Sequence, residues 1–424
     1  MDTHIRLAGC ECIGDVETQV AGRRTSLLEL FGTGQAERVR AYHRTYPEYA
    51  PTSLVDLRHL ADHLGLGRLW VKDESSRFGL DAFKVLGGTY CLGNVIARRL
   101  ERAGVVAEGE PLSLGALLSP RACEATGRLV FATTTDGNHG RGIAWTARRL
   151  GQPCVVRMPR GTRPERLENI RRLGADVSIS SQNYDETSRA LRAEARERGW
   201  VLVQDSSWEG YEQVPLWIMQ GYLTMGAELV EQLADAGEER PTHVFLQAGV
   251  GSMAAAMAAF LADVYRDDPP CLVVVEPDRA DCVFRTAQAA DGRLHEVGGA
   301  LDSMMAGLAC GVPSRLAWEV FERFVPFYVS MPDYVAATGM RVLGAPLPGD
   351  GRVVSGESGA SAAGLVCELM RDPACAGLRE RLGLDAHSRV LCISTEGATD
   401  RENYRRVVWG GAVSREEGGA EGSL

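Results

Sequence analysis

The sequence predicts an α/β protein with two lobes, built from mostly parallel, twisted sheets flanked by helices. Short β runs alternate along the chain with glycine-rich turns and helical segments, the order expected of parallel sheets. The β runs are rich in Val, Ile and Leu, as strands buried on both faces are. Eight runs carry this prediction: 68–74, 128–135, 153–161, 175–180, 199–205, 242–247, 271–278 and 389–397.

The chain of 424 residues is long enough for two or three domains. We expect residues 1–87 and 201–424 to form a larger cofactor-binding domain, and residues 88–200 to form a smaller α/β domain. The end of the chain, 412–424, is rich in Gly and Glu and poor in apolar residues, which predicts a disordered tail.

Composition excludes several function classes. Against 46 Lys and Arg stand 56 Asp and Glu, a net charge of −10, so no nucleic-acid or membrane partner is indicated. No apolar run approaches the roughly 20 residues that cross a bilayer, and the first residues lack a signal pattern. We expect a cytoplasmic enzyme acting on a small molecule.

Neither cysteine nor histidine spacing indicates a metal site. The eleven cysteines include no CxxC pair and are expected to be free thiols of the core. His59 and His63 are four residues apart on a helix predicted over 53–67, but they lie off its apolar face and lack a third ligand.

One lysine stands among apolar neighbours in RFGLDAFKVLGG, residues 77–88. Lys84 lies between Phe83 and Val85, just before a Gly-Gly pair. Desolvation disfavours an ammonium group and frees an amine nucleophile, as a Schiff-base enzyme requires. A lysine whose stem packs on apolar surface while its charge reaches water is the structural alternative.

A glycine turn follows the predicted strand 242–247. Its backbone N–H groups can converge on a phosphate at a helix N-terminus. The run from Gly249 to Ala254 also satisfies the dinucleotide fingerprint, with Glu276 at the end of the next strand, so taken alone it favours a Rossmann NAD site. Other phosphate-bearing cofactors use the same physics, and a ligand-free turn is the structural alternative. The turn comprises Gly249, Val250, Gly251, Ser252 and Met253.

The stretch TTTDGNHGRG, residues 133–142, also joins a strand end to a helix. Backbone N–H groups at Thr135, Gly137 and His139 are predicted to bind a substrate carboxylate. Asn138 can donate to a phenolic oxygen of a ring cofactor, and Asp136 is a candidate general base. An Asp N-cap with an Asx turn explains the same residues without a catalytic role.

Together these motifs resemble the pyridoxal-phosphate enzymes of fold type II, the group of tryptophan synthase β and threonine deaminase, and within it the diaminopropionate ammonia-lyases. The resemblance runs from about residue 77 to 410. It is carried by RFGLDAFKVLGGTY, FATTTDGNHGRGIAWTA, VQDSSWEGYEQVPLWIMQGY, THVFLQAGVGSMAA, VVEPDRADC, MAGLACG, MRVLG, SGESGAS and ISTEGATDRENYRRVVWG.

The resemblance implies pyridoxal 5′-phosphate as cofactor. Lys84 would be its Schiff-base lysine, and residues 249–253 would form the phosphate cradle. Asn138 would face the ring 3′-oxygen, and Thr395 would place a hydroxyl at the pyridine nitrogen, which favours elimination over transamination.

The same resemblance implies two catalytic bases, Asp136 and Asp205, on opposite faces of the substrate. Asp205 would serve the L-isomer and Asp136 the D-isomer. The implied reaction is α,β-elimination of ammonia from 2,3-diaminopropionate, giving pyruvate and ammonia, in a homodimer. For Asp205, a strand-end carboxylate that caps the next helix is the structural alternative.

Two residues depart from the family pattern and leave the substrate open. Asp81 replaces the amide of GLNAFK, and Ala398 replaces the first acidic residue after the glycine of STEGDTD. Serine or threonine dehydration and β-replacement stay open on the same fold. An NAD-dependent oxidoreductase and a non-catalytic paralogue are the alternatives from other classes.

Overall fold

The computed structural model describes residues 4–7, 10–13, 24–135 and 137–415. Asp136 and residues 416–424 of the predicted tail lie outside the described residues. The chain divides into two compact units: a larger one of Met1–Thr33, Thr52–Ser76 and Met225–Leu424, and a smaller one of Gly34–Pro51 and Arg77–Thr224.

The strands and helices of the described residues are as follows. The strands are β1 His4–Leu7, β2 Cys10–Ile13, β3 Ser53–Asp56, β4 Arg68–Asp73, β5 Phe131–Thr134, β6 Cys154–Met158, β7 Asp176–Ile179, β8 Val201–Leu202, β9 His243–Gln247, β10 Cys271–Pro277, β11 Phe327–Met331 and β12 Arg389–Ser394. The helices are α1 Arg24–Phe31, α2 Thr33–His43, α3 Arg58–Leu64, α4 Lys84–Arg102, α5 Leu114–Leu117, α6 Pro120–Thr126, α7 Asn138–Arg149, α8 Pro164–Arg171, α9 Tyr184–Arg198, α10 Gln213–Gly221, α11 Leu223–Asp235, α12 Ser252–Val264, α13 Cys282–Ala289, α14 Arg315–Phe324, α15 Asp333–Gly344, α16 Glu357–Arg371, α17 Ala376–Leu382 and α18 Arg401–Val408.

The larger unit is built on an eight-stranded sheet in the order β1-β2-β11-β10-β9-β12-β4-β3. Its five central strands, from β11 to β4, run parallel. Antiparallel strands close both edges. Every residue of β9 is buried, because helices cover both faces of a parallel sheet. The parallel α/β architecture predicted from the sequence is therefore present.

The prediction of a helix over 53–67 is wrong for the first few residues of that range. Residues 53–56 form the edge strand β3, which pairs antiparallel with β4, and the helix begins at Arg58. The carboxylate of Asp350 accepts the backbone N–H groups of His59 and Leu60, both at 2.9 Å, and so fixes the helix start from a distant part of the sequence.

The smaller unit holds a four-stranded, fully parallel sheet in the order β7-β6-β5-β8. Residues 34–51, 77–87 and 201–224 belong to this unit, whereas the sequence-based division placed them in the larger domain. The physical reason is that α4, which begins at Lys84, packs along α7 and α10. Lys84 and Asp205 therefore lie in the same unit.

Two composition-based expectations can be compared with the described residues. The ten cysteines whose side chains are described are free thiols, and most are buried. Among the described residues, none of the helices is both long and apolar enough to cross a membrane.

Candidate active site

Lys84 is the first residue of α4 and follows a turn with unusual backbone geometry. Phe78 and Asp81 adopt left-handed conformations, with φ of 50° and 52°. Asn and Asp are the side chains that tolerate this conformation best, so Asp81 satisfies the turn as the family's amide would. Its carboxylate lies 3.5 Å from the guanidinium of Arg141 on α7. The departure from the family pattern thus preserves the turn before Lys84.

The amine of Lys84 contacts the carboxylate of Asp205. Lys84 Nζ donates to Asp205 Oδ2 at 2.5 Å, and the two side chains are only 18% and 10% exposed. Burial of Asp205 favours the neutral acid, but the charges of Lys84 and His139 outweigh it and hold the pKa of Asp205 well below its usual value. Asp205 is therefore an anion at neutral pH, in contact with the candidate Schiff-base lysine.

The number of lysines in the chain limits the candidates for the Schiff-base residue. The whole sequence contains only two, Lys72 and Lys84. Lys72 is completely buried, and its amine donates to Glu228 (2.8 Å), the Thr52 carbonyl (2.7 Å) and Gln232 (3.0 Å). Glu228 and Gln232 are one turn apart on α11, so the Lys72 amine is fully coordinated. Because the amine of Lys72 is occupied by these contacts, Lys84 stays the predicted Schiff-base lysine.

The imidazole ring of His139 lies beside the carboxylate of Asp205. Its Nε2 is 3.0 Å from the Val203 carbonyl, and since a carbonyl only accepts, Nε2 carries a proton. Its Nδ1 is 3.9 Å from Asp205 Oδ2. The sequence analysis assigned only the backbone of His139 to a site, and no local pattern predicted that its imidazole lies next to Asp205.

The loop before α7 is held by the hydroxyl of Thr135. Thr135 Oγ1 accepts the N–H groups of Gly137 at 3.0 Å and Gly140 at 3.1 Å. The Gly137 N–H is thus directed at a side chain of its own loop. A substrate carboxylate at Thr135, Gly137 and His139 stays a prediction, as does the role of Asn138 at the first position of α7. Asp136 lies outside the described residues.

Gly142 lets α7 approach the start of α4. A Cβ on Gly142 would lie 2.9 Å from Val85 Cα, closer than real Cβ contacts allow, and 3.1 Å from the Lys84 carbonyl carbon, tighter than most. The missing side chain therefore sets how near α7, which carries His139, comes to Lys84.

Replacing Gly142 with alanine is expected to destabilise the protein by about 1–3 kcal/mol, because the added methyl group meets backbone that cannot move aside. Chemical denaturation of the purified chain measures this. Gly115→Ala in α5 is the matched control, since a Cβ there meets nothing within 4 Å. Equal stability of the two variants would contradict the close-packing argument.

The predicted phosphate turn lies in the larger unit, between β9 and α12. Gly251 is the N-cap of α12 with φ of 93°, so the N-cap residue itself has no side chain to accept the first N–H groups of the helix. A Cβ on Gly251 would also lie 2.7 Å from the ring of Phe321, so glycine is required. Ser252, Met253 and Ala254 are buried there. A buried helix N-terminus with glycine at the N-cap is suited to an anionic group.

Thr395 follows β12 in the same unit and is held by a residue that the sequence reading missed. Gln247, the last residue of β9, donates through Nε2 to the Ile393 carbonyl at 2.8 Å and to Thr395 Oγ1 at 3.2 Å. The carbonyl fixes the orientation of the amide, so the Thr395 oxygen accepts and its proton is available for another acceptor. In the sequence, the only feature that could have pointed to Gln247 is a polar residue at the end of an apolar strand.

In a dinucleotide site the acidic residue at the end of the second strand binds the ribose of the cofactor, but Glu276 does not have the environment for that role. It is fully buried, and its two oxygens accept the N–H groups of Val283 at 3.0 Å and Phe284 at 2.6 Å. Burial raises the pKa of Glu276 well above its usual value. Because both oxygens cap α13, the second element of the NAD interpretation is a structural carboxyl.

Comparison with known proteins identifies the family of this chain. Residues 45–396 match the family described as "Pyridoxal-phosphate dependent enzyme", so the chain belongs to this family and pyridoxal phosphate is its cofactor. In the smaller unit the amine of Lys84, the predicted Schiff-base lysine, fits the aldehyde of this cofactor. In the larger unit the buried N-terminus of α12, with Gly251 at its N-cap, fits its phosphate.

Within the family, the chain is similar to diaminopropionate ammonia-lyases. It is 45% identical over 385 residues to the one of Salmonella typhimurium, covering 91% of this chain and 94% of the relative. The structure of the Escherichia coli enzyme in complex with D-serine matches with a TM-score of 0.87 and 40% identity, over 97% of this chain and all of the other. The same enzyme in complex with an aminoacrylate-PLP azomethine reaction intermediate matches with a TM-score of 0.84 and 40% identity, over 97% and 100%. These likenesses confirm the predicted fold type II.

Proposed function

We propose that this chain is a pyridoxal-phosphate-dependent lyase that eliminates ammonia from 2,3-diaminopropionate and yields pyruvate and ammonia. The observation that carries the proposal is the contact between Lys84 Nζ and Asp205 Oδ2, in a chain whose other lysine is fully coordinated in the core. The similarity to diaminopropionate ammonia-lyases across nine-tenths of the chain supports the choice of substrate.

The residues that would hold the cofactor are Lys84, the turn 249–253, Asn138 and Thr395. Lys84 would bind the aldehyde carbon covalently through its amine. The N–H groups of the turn would bind the phosphate, and the Thr395 hydroxyl, oriented by Gln247, would donate to the ring nitrogen. When bound, pyridoxal phosphate supplies an electron-withdrawing ring that accepts the electron pair of the substrate Cα–H bond.

Asp205 would remove the α-proton. Its depressed pKa keeps it ionised at neutral pH, and its contact with the amine of Lys84 supports this role. Lys84 Nζ, with its own exchangeable protons, would supply a proton to the departing β-nitrogen. General acid–base help of this kind is typically worth ~10²–10⁴ in rate.

Two bases would let the enzyme use both stereoisomers of the substrate. Asp205 would serve the L-isomer and Asp136 the D-isomer, since carboxylates on opposite faces can each reach one α-proton. The complex of the Escherichia coli relative with D-serine supports a site that admits D-amino acids.

The decisive experiment supplies the purified holoenzyme with each diaminopropionate isomer, serine, threonine and O-acetylserine, and measures keto acid and ammonia. We expect one pyruvate and two ammonia molecules for each diaminopropionate and water consumed, with the other substrates slower. Faster release of 2-oxobutanoate from threonine would favour the dehydratase alternative, which Ala398 leaves open.

A homodimer and a cytoplasmic location complete the proposal. The dimer rests on the family resemblance, and analytical ultracentrifugation of the purified chain measures it. The location stays a prediction that cell fractionation measures.

A further inference from the structure

A closed loop follows Asp205 in the smaller unit. Trp208 and Tyr211 exchange backbone hydrogen bonds of 3.3 Å and 2.9 Å across a tight turn, in which Gly210 adopts φ of 81°. Only two residues separate Asp205 from this turn. Asp205 itself lies beyond the end of strand β8, at Leu202, so the sheet does not hold it directly. The placement of the carboxylate therefore depends on how this loop is fixed to the sheet.

The phenol of Tyr211 makes that connection. Its oxygen accepts the N–H of Gln204 at 2.9 Å and donates to the carbonyl of Leu202, also at 2.9 Å. These two backbone groups flank Val203, whose carbonyl holds the ring of His139. One hydroxyl thus fixes the backbone immediately before Asp205 and next to its neighbour His139.

Aromatic stacking fixes the Tyr211 ring in turn. The rings of Trp208 and Tyr211 stack at 4.2 Å with an angle of 12° between their planes. The guanidinium of Arg192 on α9 lies 3.9 Å from the Trp208 ring centre, a short cation–π contact. The loop is therefore held from both sides, by the sheet through the phenol and by α9 through the stack.

We propose that Tyr211 is a positioning residue that holds Asp205 against Lys84, with the stack of Arg192, Trp208 and Tyr211 as its support. The proposal rests on the proposed role of Asp205 as the base for the L-isomer. Tyr211 has no part in the chemistry itself, because both of its hydrogen bonds are to backbone. A base displaced by about 1 Å loses on the order of 10²-fold in rate, since proton transfer requires close alignment.

The test is Tyr211→Phe, which removes the phenol oxygen and keeps the ring in the stack. We expect kcat for the L-isomer of diaminopropionate to fall by about 10–100-fold with KM little changed. Turnover of the D-isomer, whose proposed base is Asp136, should stay close to wild type. Arg192→Leu, at an exposed position, should give a smaller fall in kcat for the L-isomer. This second variant tests the proposal if Tyr211→Phe does not fold.

Tyr46→Phe is the matched control, because it removes a buried phenol from the same unit, hydrogen-bonded to Tyr42 at 2.6 Å. It should leave the ratio of L- to D-isomer turnover unchanged. Equal losses on both isomers in Tyr211→Phe, or no loss at all, would overturn the proposal.

A crystal structure of cofactor-free Tyr211→Phe separates this inference from the proposed function. We expect the distance from Lys84 Nζ to Asp205 Oδ2 to exceed the 2.5 Å of the parent chain. An unchanged distance refutes the positioning role even if the enzyme acts on diaminopropionate. A lengthened distance supports it even if the substrate proves to be a different amino acid.

Discussion

Replacing Lys84 with alanine is expected to abolish turnover and covalent capture of the cofactor together. The amine is the group that binds the aldehyde, and it is also the proposed proton donor, so the rate should fall by at least ~10²–10⁴-fold. Borohydride reduction of wild-type holoenzyme, followed by digestion and mass spectrometry, should place the cofactor adduct on the peptide that contains Lys84. The two lysines of the chain make this assignment simple.

Lys84→Arg distinguishes loss of the reacting amine from loss of the ion pair with Asp205. Arginine keeps a cation beside Asp205 but cannot form the imine, so it should be as inactive as alanine while preserving the ion pair. Alanine leaves the Asp205 carboxylate without its partner, and loss of one partner of a buried pair costs up to about 3–5 kcal/mol. An adduct on Lys72, or substantial activity in either variant, would rule out Lys84 as the Schiff-base residue.

Replacing Asp205 with asparagine is expected to lower turnover of the L-isomer by ~10²–10⁴-fold and to spare the D-isomer. Asparagine has nearly the same shape and can still accept a hydrogen bond from Lys84, so the loss would report on the missing base. Steady-state assays with each pure isomer measure the effect.

Asp81→Asn is the matched control for this variant. It is the same chemical change in the same unit, three residues from Lys84, at a half-exposed position whose left-handed backbone asparagine also tolerates. It should act on both isomers like wild type. A parallel loss of both isomers in Asp205→Asn would mean that the two carboxylates do not divide the stereoisomers.

The stability of the cofactor-free protein gives a second readout for Asp205. The pKa of its carboxyl is depressed in the folded state, so ionisation of Asp205 stabilises the fold above the unfolded pKa of about 3.9. That contribution is lost as the pH falls toward the folded pKa. The difference in unfolding free energy between wild type and Asp205→Asn should therefore be constant near neutrality and shrink below about pH 4.

Much of the architecture could be predicted because buried parallel strands leave a strong local signal. The eight predicted β runs correspond to β4 to β10 and β12, with ends trimmed by a few residues. The edge strand β3 was misassigned, since Leu54 and Val55 fit a helix as well as a strand until they pair with β4. Pairing partners distant in sequence decide such short edges.

The sequence by itself determined the fold class and singled out Lys84 and the glycine turns, because these depend on local patterns of apolar runs, glycines and a lysine among apolar neighbours. The cofactor and the predicted roles of Asp205 and Thr395 came from the resemblance of longer motifs to a known family. Only the tertiary structure decided which residues act on one another. It coordinated Lys72 with side chains of α11, placed the carboxylate of Asp205 beside Lys84 and the ring of His139 beside that carboxylate, and assigned Glu276 to a helix cap. The physical reason is that the charge and reactivity of a buried group depend on neighbours that the chain brings together only when it folds.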